Sequence, residues 1–253
     1  MRIKYNKEFE YIFKKILFPE KFLLKRRLQR AIDNNYEIEL GILDKIANKN
    51  LESVDVGVYR GVYTYKLAQI TKHVHSFEPN PLIFPYLEKH LNKIVKNVTL
   101  YNTALSDKNS ETDLKIPKRF KTINKEDYEQ RYKLGWATIH KDNVLDNNEF
   151  ITQRVKTGTL DDLIKTKDIG FIKIDVEGHE KNVLMGSKNL ITRCKPNMLV
   201  EIEERHTKDK VANTINFINE LGYKSYYCNN SDLITTSKLT NYKLRRNYIF
   251  IHQ

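Results

Sequence analysis

Cysteine is scarce in this chain: its 253 residues hold two, Cys194 and Cys228, far apart and outside any C-x-x-C pair. That excludes a zinc framework of paired thiolates and a disulfide-stapled fold, and it fits a reducing cytoplasm. Long apolar runs are missing as well. No stretch of about 18 apolar residues occurs, so no membrane-spanning helix is expected. Charged residues rather than an apolar core follow Met1, so no signal peptide is expected. There is no internal repeat and no low-complexity tract. Acidic residues fall short of basic ones, 32 against 44, leaving a net charge of +12. Such a balance favours acidic partners, whether nucleic acid, an anionic membrane face or an acidic glycan; a merely solvated basic surface explains it equally well. What is present is apolar material, 40% of the chain with 11 Phe and 15 Tyr. That suffices for one large domain with its own core.

Residues 1–50 read as a basic helical extension, with Ile12, Phe13, Ile16, Leu17, Phe22, Leu23 and Leu24 set among lysines and arginines. Two uses are open for it: a helix capping the domain or making a homodimer contact, and peripheral contact with the anionic inner face of a membrane. Residues 51–253 alternate short apolar strands with helices, the pattern of a doubly wound, mostly parallel α/β sheet with helices on both faces. Seven strands are predicted, at 51–56, 73–78, 97–102, 170–175, 197–203, 223–228 and 247–252. Helices are predicted near 62–71, 81–93, 159–166, 179–193 and 208–221, with Thr159 as an N-cap and Gly222 as a stop. The polar interval 107–158 breaks the rhythm and reads as an insertion serving as a substrate lid.

Four strand ends carry chemistry. The first, residues 54–64 (VDVGVYRGVYT), ends a strand in Asp55, turns through Gly57 and Gly61 and opens a helix. Glycine permits the tight turn and close ligand approach, and the helix start offers free N–H groups. A dinucleotide turn needs G-x-G-x-x-G, but Tyr59 fills the middle position and Asp55 repels phosphate. S-adenosylmethionine carries an ammonium group instead, which suits a strand-end carboxylate. The second is FEPNP, where Glu78 follows Asp55 by 23 positions (78 − 55) and is placed to reach ribose hydroxyls. The third is NTALSD, in which Ala104 and Leu105 offer an apolar wall for adenine. The fourth is IKIDVEGHE, with Asp175, Glu177 and His179. All four lie at the carboxyl ends of strands, where open α/β sheets bind ligands.

Together with GTLDDL and PNMLVEIE, these segments resemble the FkbM-type family of methyltransferases over about residues 51–205. The resemblance implies the class I, Rossmann-like methyltransferase fold, S-adenosylmethionine as cofactor, and O-methylation of a hydroxyl on a sugar or polyketide-type substrate. Val58-Tyr59-Arg60 departs from the small residues usual between the family's glycines. Cofactor-binding residues are expected to be Asp55, Gly57, Arg60, Gly61, Thr64, Glu78, Pro79, Asn80, Ala104, Leu105 and Asp175. Catalytic candidates are Asp175, Glu177, His179 and Glu203. Asp175 is the first choice as base, its rival role being to hold the methionine end of the cofactor. No metal is assigned; the one set suited to Mg²⁺ is Asp175, Glu201 and Glu203, against which stands pairing of these acids with lysine or arginine. His206 is a further base candidate, and Trp136 is expected to pack over the acceptor.

The reading is a cytoplasmic O-methyltransferase acting on a glycan, a glycolipid or another hydroxyl-bearing acceptor, with no DNA partner. Two alternatives are an RNA methyltransferase, favoured by the charge but not by the acidic Glu177-Gly178-His179-Glu180 segment, and a non-catalytic cofactor-binding scaffold.

Overall fold

The computed structural model describes residues 20–118, 134–141, 149–204, 210–230, 232–239, 241–242 and 245–253. Helices α1 (Glu20–Asp33) and α2 (Leu43–Ile46) precede strand β1 (Glu52–Val56). Helix α3 (Val62–Ile70), β2 (Val74–Phe77), α4 (Phe84–His90) and β3 (Val98–Tyr101) follow in strict alternation. Short β4 (Ala104–Leu105) leads into β5 (Ser110–Pro117) and β6 (Phe150–Gly158). The alternation resumes with α5 (Leu160–Leu163), β7 (Ile169–Ile174), α6 (Glu180–Met185), α7 (Lys188–Cys194) and β8 (Asn197–Glu201). Helix α8 (Val211–Glu220), β9 (Tyr223–Asn229), β10 (Asp232–Thr235) and β11 (Asn247–His252) complete it.

The main sheet runs β10-β9-β11-β8-β7-β1-β2-β3. From β3 to β8 all pairings are parallel, and β11 lies antiparallel between β8 and β9. All seven expected strands form. An eighth, β10, hairpins onto β9 at the edge; at four residues it is too short to show a period of its own.

The central strands are apolar nearly throughout because both faces are covered. Alternation sends Val54, Val56, Ile172 and Ile174 to one face, where they pack with Leu160, Val183, Leu184, Leu190 and Ile191 of α5 to α7. Phe171, Leu199 and Ile249 pack on the other, with Leu43 and Ile46 of α2 and Tyr63 and Leu67 of α3. The predicted helix over 179–193 is two helices. The chain breaks at Gly186, which presses so closely on residue 106 that an added Cβ would stand 2.0 Å from the Ser106 carbonyl oxygen. Thr159 caps α5, its hydroxyl accepting from Asp162 N at 3.1 Å, and Gly222, at φ 92°, closes α8.

Two features frame the sheet's carboxyl edge. Helix α1 buries Leu24 and Leu28 in a third apolar cluster with Val58, Leu91, Leu114, Ile116 and Leu134, and its Glu20 pairs with His90 at 2.9 Å. Lys21, Phe22, Lys25, Arg26, Arg27 and Arg30 of α1 are exposed; Ile12, Phe13, Ile16 and Leu17 lie outside the described residues. The interval 107–158 contains an antiparallel hairpin, β5 with β6, registered from Ser110↔Thr157 to Pro117↔Phe150, with β4 parallel on its flank. No helix among the described residues is long and apolar enough to cross a membrane.

Candidate functional site

The site begins where β1 and β7 end side by side. Gly57 takes φ 85°, and a Cβ there would lie 1.9 Å from the Asp175 carbonyl oxygen, so no other residue fits. The chain then turns through Tyr59, itself at φ 47°. That turn aims the Tyr59 N–H at Glu78 Oε2 (2.8 Å), while Asn80 N–H donates to Oε1 (2.8 Å). Glu78, at the end of β2, is thus gripped by two backbone donors. Burial nevertheless raises its pKa to about 7, against the pull of those N–H groups.

On β7, Lys173 is a buried lysine whose ammonium donates to Asp175 Oδ2 (3.1 Å) and to the Gly57 carbonyl (3.2 Å). Burial opposes its charge, but Asp175, Asp55 and Glu37 hold its pKa above the ordinary lysine value. The loop that follows has two left-handed residues, Glu177 (φ 55°) and Gly178 (φ 101°). Buried Glu180 secures it, Oε1 accepting from Val176 N (3.2 Å) and Gly178 N (3.0 Å).

These pieces line one cleft at the carboxyl edge of the sheet. Of the residues singled out in the sequence, Gly57, Glu78, Pro79, Ala104, Leu105, Asp175, Glu177 and His179 line it. Its roof is the insertion: Leu134, Gly135, Ala137, Thr138 and Ile139, tied down by the Thr138 hydroxyl donating to the Glu177 carbonyl (2.9 Å). Trp136 is half-buried but does not line the cleft, so its neighbours provide the roof in its place.

Other expected residues stand elsewhere. Asp55 is wholly buried and lies behind the cleft wall, because alternation turns it away from Val54 and Val56 toward Thr64 (2.6 Å) and Lys173 (3.9 Å). The sequence placed it at a ligand's ammonium group; here its carboxylate faces Thr64 and the Lys173 ammonium instead. Thr64 is likewise buried behind the wall, as Asp55's donor. Asn80 acts through its backbone on Glu78, Gly61 packs against Leu91, and Arg60 is exposed with its guanidinium 5.1 Å from the Tyr59 ring centre. Glu203 does not line the cleft; Arg246 pairs with it at 3.0 Å. Glu201 shares a hydrogen bond with Glu203, and burial, then Asp175 and Glu177, push its pKa up to about 10. No group of three acids, histidines or cysteines among the described residues is arranged to hold a metal ion. His206 lies outside the described residues.

His179 sits at a boundary. It and Ile139 line both the cleft and a second, polar cavity walled by Ser106, Asp107, Glu111, His140, Lys141 and Asn182 among others. The Ser106 hydroxyl donates to Asp107 Oδ1 (2.9 Å), and its Oγ lies 2.9 Å from His179 Nε2, while His179 Nδ1 is buried. Burial, then His140, lower the His179 pKa to about 4, leaving the ring neutral near pH 7.

Sequence reasoning missed Tyr59, Lys173 and Glu180 as parts of this site. The signal for Lys173 was available: it sits opposite Asp55 in the β1–β7 register and two residues before Asp175, so all three meet.

The FkbM methyltransferase domain model matches residues 55–225. No curated protein sequence is significantly similar to the chain. Among solved structures, the methyltransferase FkbM from Methylobacillus flagellatus KT is 16% identical at a TM-score of 0.51, the match covering 80% of this chain and 44% of that one. The chain therefore spans less than half the length of that relative. A putative methyltransferase from Streptococcus mutans, solved with SAH, is 13% identical at a TM-score of 0.47, covering 85% of this chain and 95% of that one. A cleft at the carboxyl edge of a class I sheet and a family match over two-thirds of the sequence lead to one conclusion: the chain belongs to the FkbM family of S-adenosylmethionine-dependent methyltransferases.

Proposed function

We propose that the enzyme O-methylates a sugar hydroxyl of a glycan or glycolipid. The residues of the cleft fit the methyl donor part by part. Phe77, Ala104 and Leu105 offer an apolar wall to a purine, Glu78 a carboxylate to a ribose diol, and Asp175 with the Gly57 carbonyl a seat for an ammonium group. When bound, the donor supplies an electrophilic methyl carbon on a sulfonium. The chain's own task is to orient the acceptor oxygen in line and receive its proton.

The observation that carries the reading is the polar cavity that adjoins the cleft through His179. Its carboxylates, amide, ammonium and hydroxyls suit the dense hydrogen bonding of a carbohydrate. His179 lines both spaces where they meet and Glu177 flanks it in the cleft, and these two side chains are the groups assigned to receive the acceptor's proton. The acids Asp175 and Glu177 make this end of the cleft inhospitable to a phosphodiester backbone, which argues against RNA despite the charge of +12. Exposed Lys21, Lys25, Arg26 and Arg27 on α1 suit an acceptor presented at an anionic membrane face, as a glycolipid would be.

Methyl-tritiated cofactor, incubated with protein and with separate glycolipid, polysaccharide and RNA fractions, tests this. Label is expected in an O-methyl sugar after hydrolysis, and His179→Phe is expected to lose at least about a hundredfold in turnover while SAH affinity stays within about twofold. Label confined to RNA, or full turnover in His179→Phe, refutes the assignment.

A further inference from the structure

Three oxygens converge on one buried ammonium. Lys173 Nζ lies 3.1 Å from Asp175 Oδ2, 3.2 Å from the Gly57 carbonyl oxygen and 3.9 Å from Asp55 Oδ1. The Tyr63 ring closes another side, its centre 5.0 Å away, and the Tyr63 hydroxyl is anchored on Glu37 at 2.6 Å. Lys173 is only 5% exposed and Asp55 is wholly buried. A methionine would fill the same volume, so packing alone does not call for a lysine here. What the ammonium adds is a fixed distance between the ends of two strands. Gly57 and Asp175 sit on adjacent strands, and Lys173 is the cation that holds both.

We propose that Lys173 is a positioning residue for the cofactor. Its ammonium pins the Gly57 carbonyl and one oxygen of Asp175, so that the second Asp175 oxygen, which makes no hydrogen bond among the described residues, is presented to the donor's amino group. Asp55 is the fixed counter-charge that keeps the ammonium in place after Asp175 turns to the ligand. This rests on the assignment of Asp175 to the amino-acid end of the donor.

Calorimetry with two probes tests it: SAH, and methylthioadenosine, which keeps the nucleoside but lacks the amino-acid tail. Lys173→Met is expected to weaken SAH at least about tenfold, as loss of an oriented charge-assisted contact should. Methylthioadenosine should stay within about twofold, because Glu78 and the apolar wall are untouched. Since Lys173→Met leaves buried Asp55 and half-buried Asp175 without their cation, the double variant Lys173→Met/Asp55→Asn is measured alongside; it balances the charge and is expected to show the same split. Unchanged SAH affinity in either folded variant overturns the proposal, and so does an equal loss for both probes, which marks general damage. Asp175→Asn separates the two levels of argument. If it loses SAH while the lysine variants do not, Asp175 is a ligand and Lys173 is not its positioner. If it binds SAH in full, the assignment of Asp175 falls and the role of Lys173 falls with it.

Discussion

Glu78 shows how one side chain ties proton binding to ligand binding. Its carboxylate sits between two backbone N–H groups, yet burial holds its pKa at about 7. Ribose hydroxyls donate to the ionised form, so affinity for SAH should rise as pH climbs through 7, by about tenfold between pH 6 and pH 8. Calorimetry at those two values checks this, with Glu78→Gln expected to bind more weakly and without the pH slope; a slope retained in the variant contradicts it. At this scale a residue that ends a strand and one that lies inside it are placed differently. Glu78 and Asp175 end their strands and reach the cleft. Asp55 is still within the alternating pattern, and a period of two turned it toward Thr64 and Lys173. The lysine was overlooked because a cation in an apolar strand has no meaning until its neighbours in register are known.

Among the elements, the loop between β7 and α6 is the one most dependent on a single buried carboxyl. Glu180 carries a pKa raised from 4.5 to about 7 by burial, while Gly178 N–H and Val176 N–H bind its Oε1. Below 4.5 the folded and unfolded chains both hold the proton and the group favours neither. Between 4.5 and about 7 the unfolded chain releases it first, so stability falls as pH rises; above 7 the full cost is present. The melting temperature should therefore drop from pH 5 to pH 7.5. Glu180→Gln, which keeps an accepting oxygen, should flatten that drop in a thermal-shift series; an unchanged profile would show that Glu180 does not set the slope. The strands were legible because each is a compact apolar run. The break between α6 and α7 was not, because it depends on Gly186 meeting Ser106 from another part of the chain. The roof over the cleft was foreseen only as an interval of 107–158, since nothing local marks Thr138 as the residue that reaches Glu177.

For the whole molecule, one apolar cluster joins three parts that the sequence keeps apart. Leu24 and Leu28 of α1, Val58 beside the cofactor turn, and Leu134 at the start of the roof all belong to it. Leu28 is 2% exposed, so Leu28→Ala should cost roughly 2–5 kcal/mol in urea unfolding. It should also weaken SAH, because turn and roof lose the same support; full affinity in a destabilised variant would uncouple them. The last strand has a different consequence. Because β11 separates β8 from β9, neither of those strands has its final partner until residues 247–252 arrive. During synthesis on the ribosome both would present open hydrogen-bonding edges, and open edges invite pairing with other chains. The half-made protein is thus most prone to aggregate just before residue 247 emerges, which makes β11 a gate on the yield of folded enzyme.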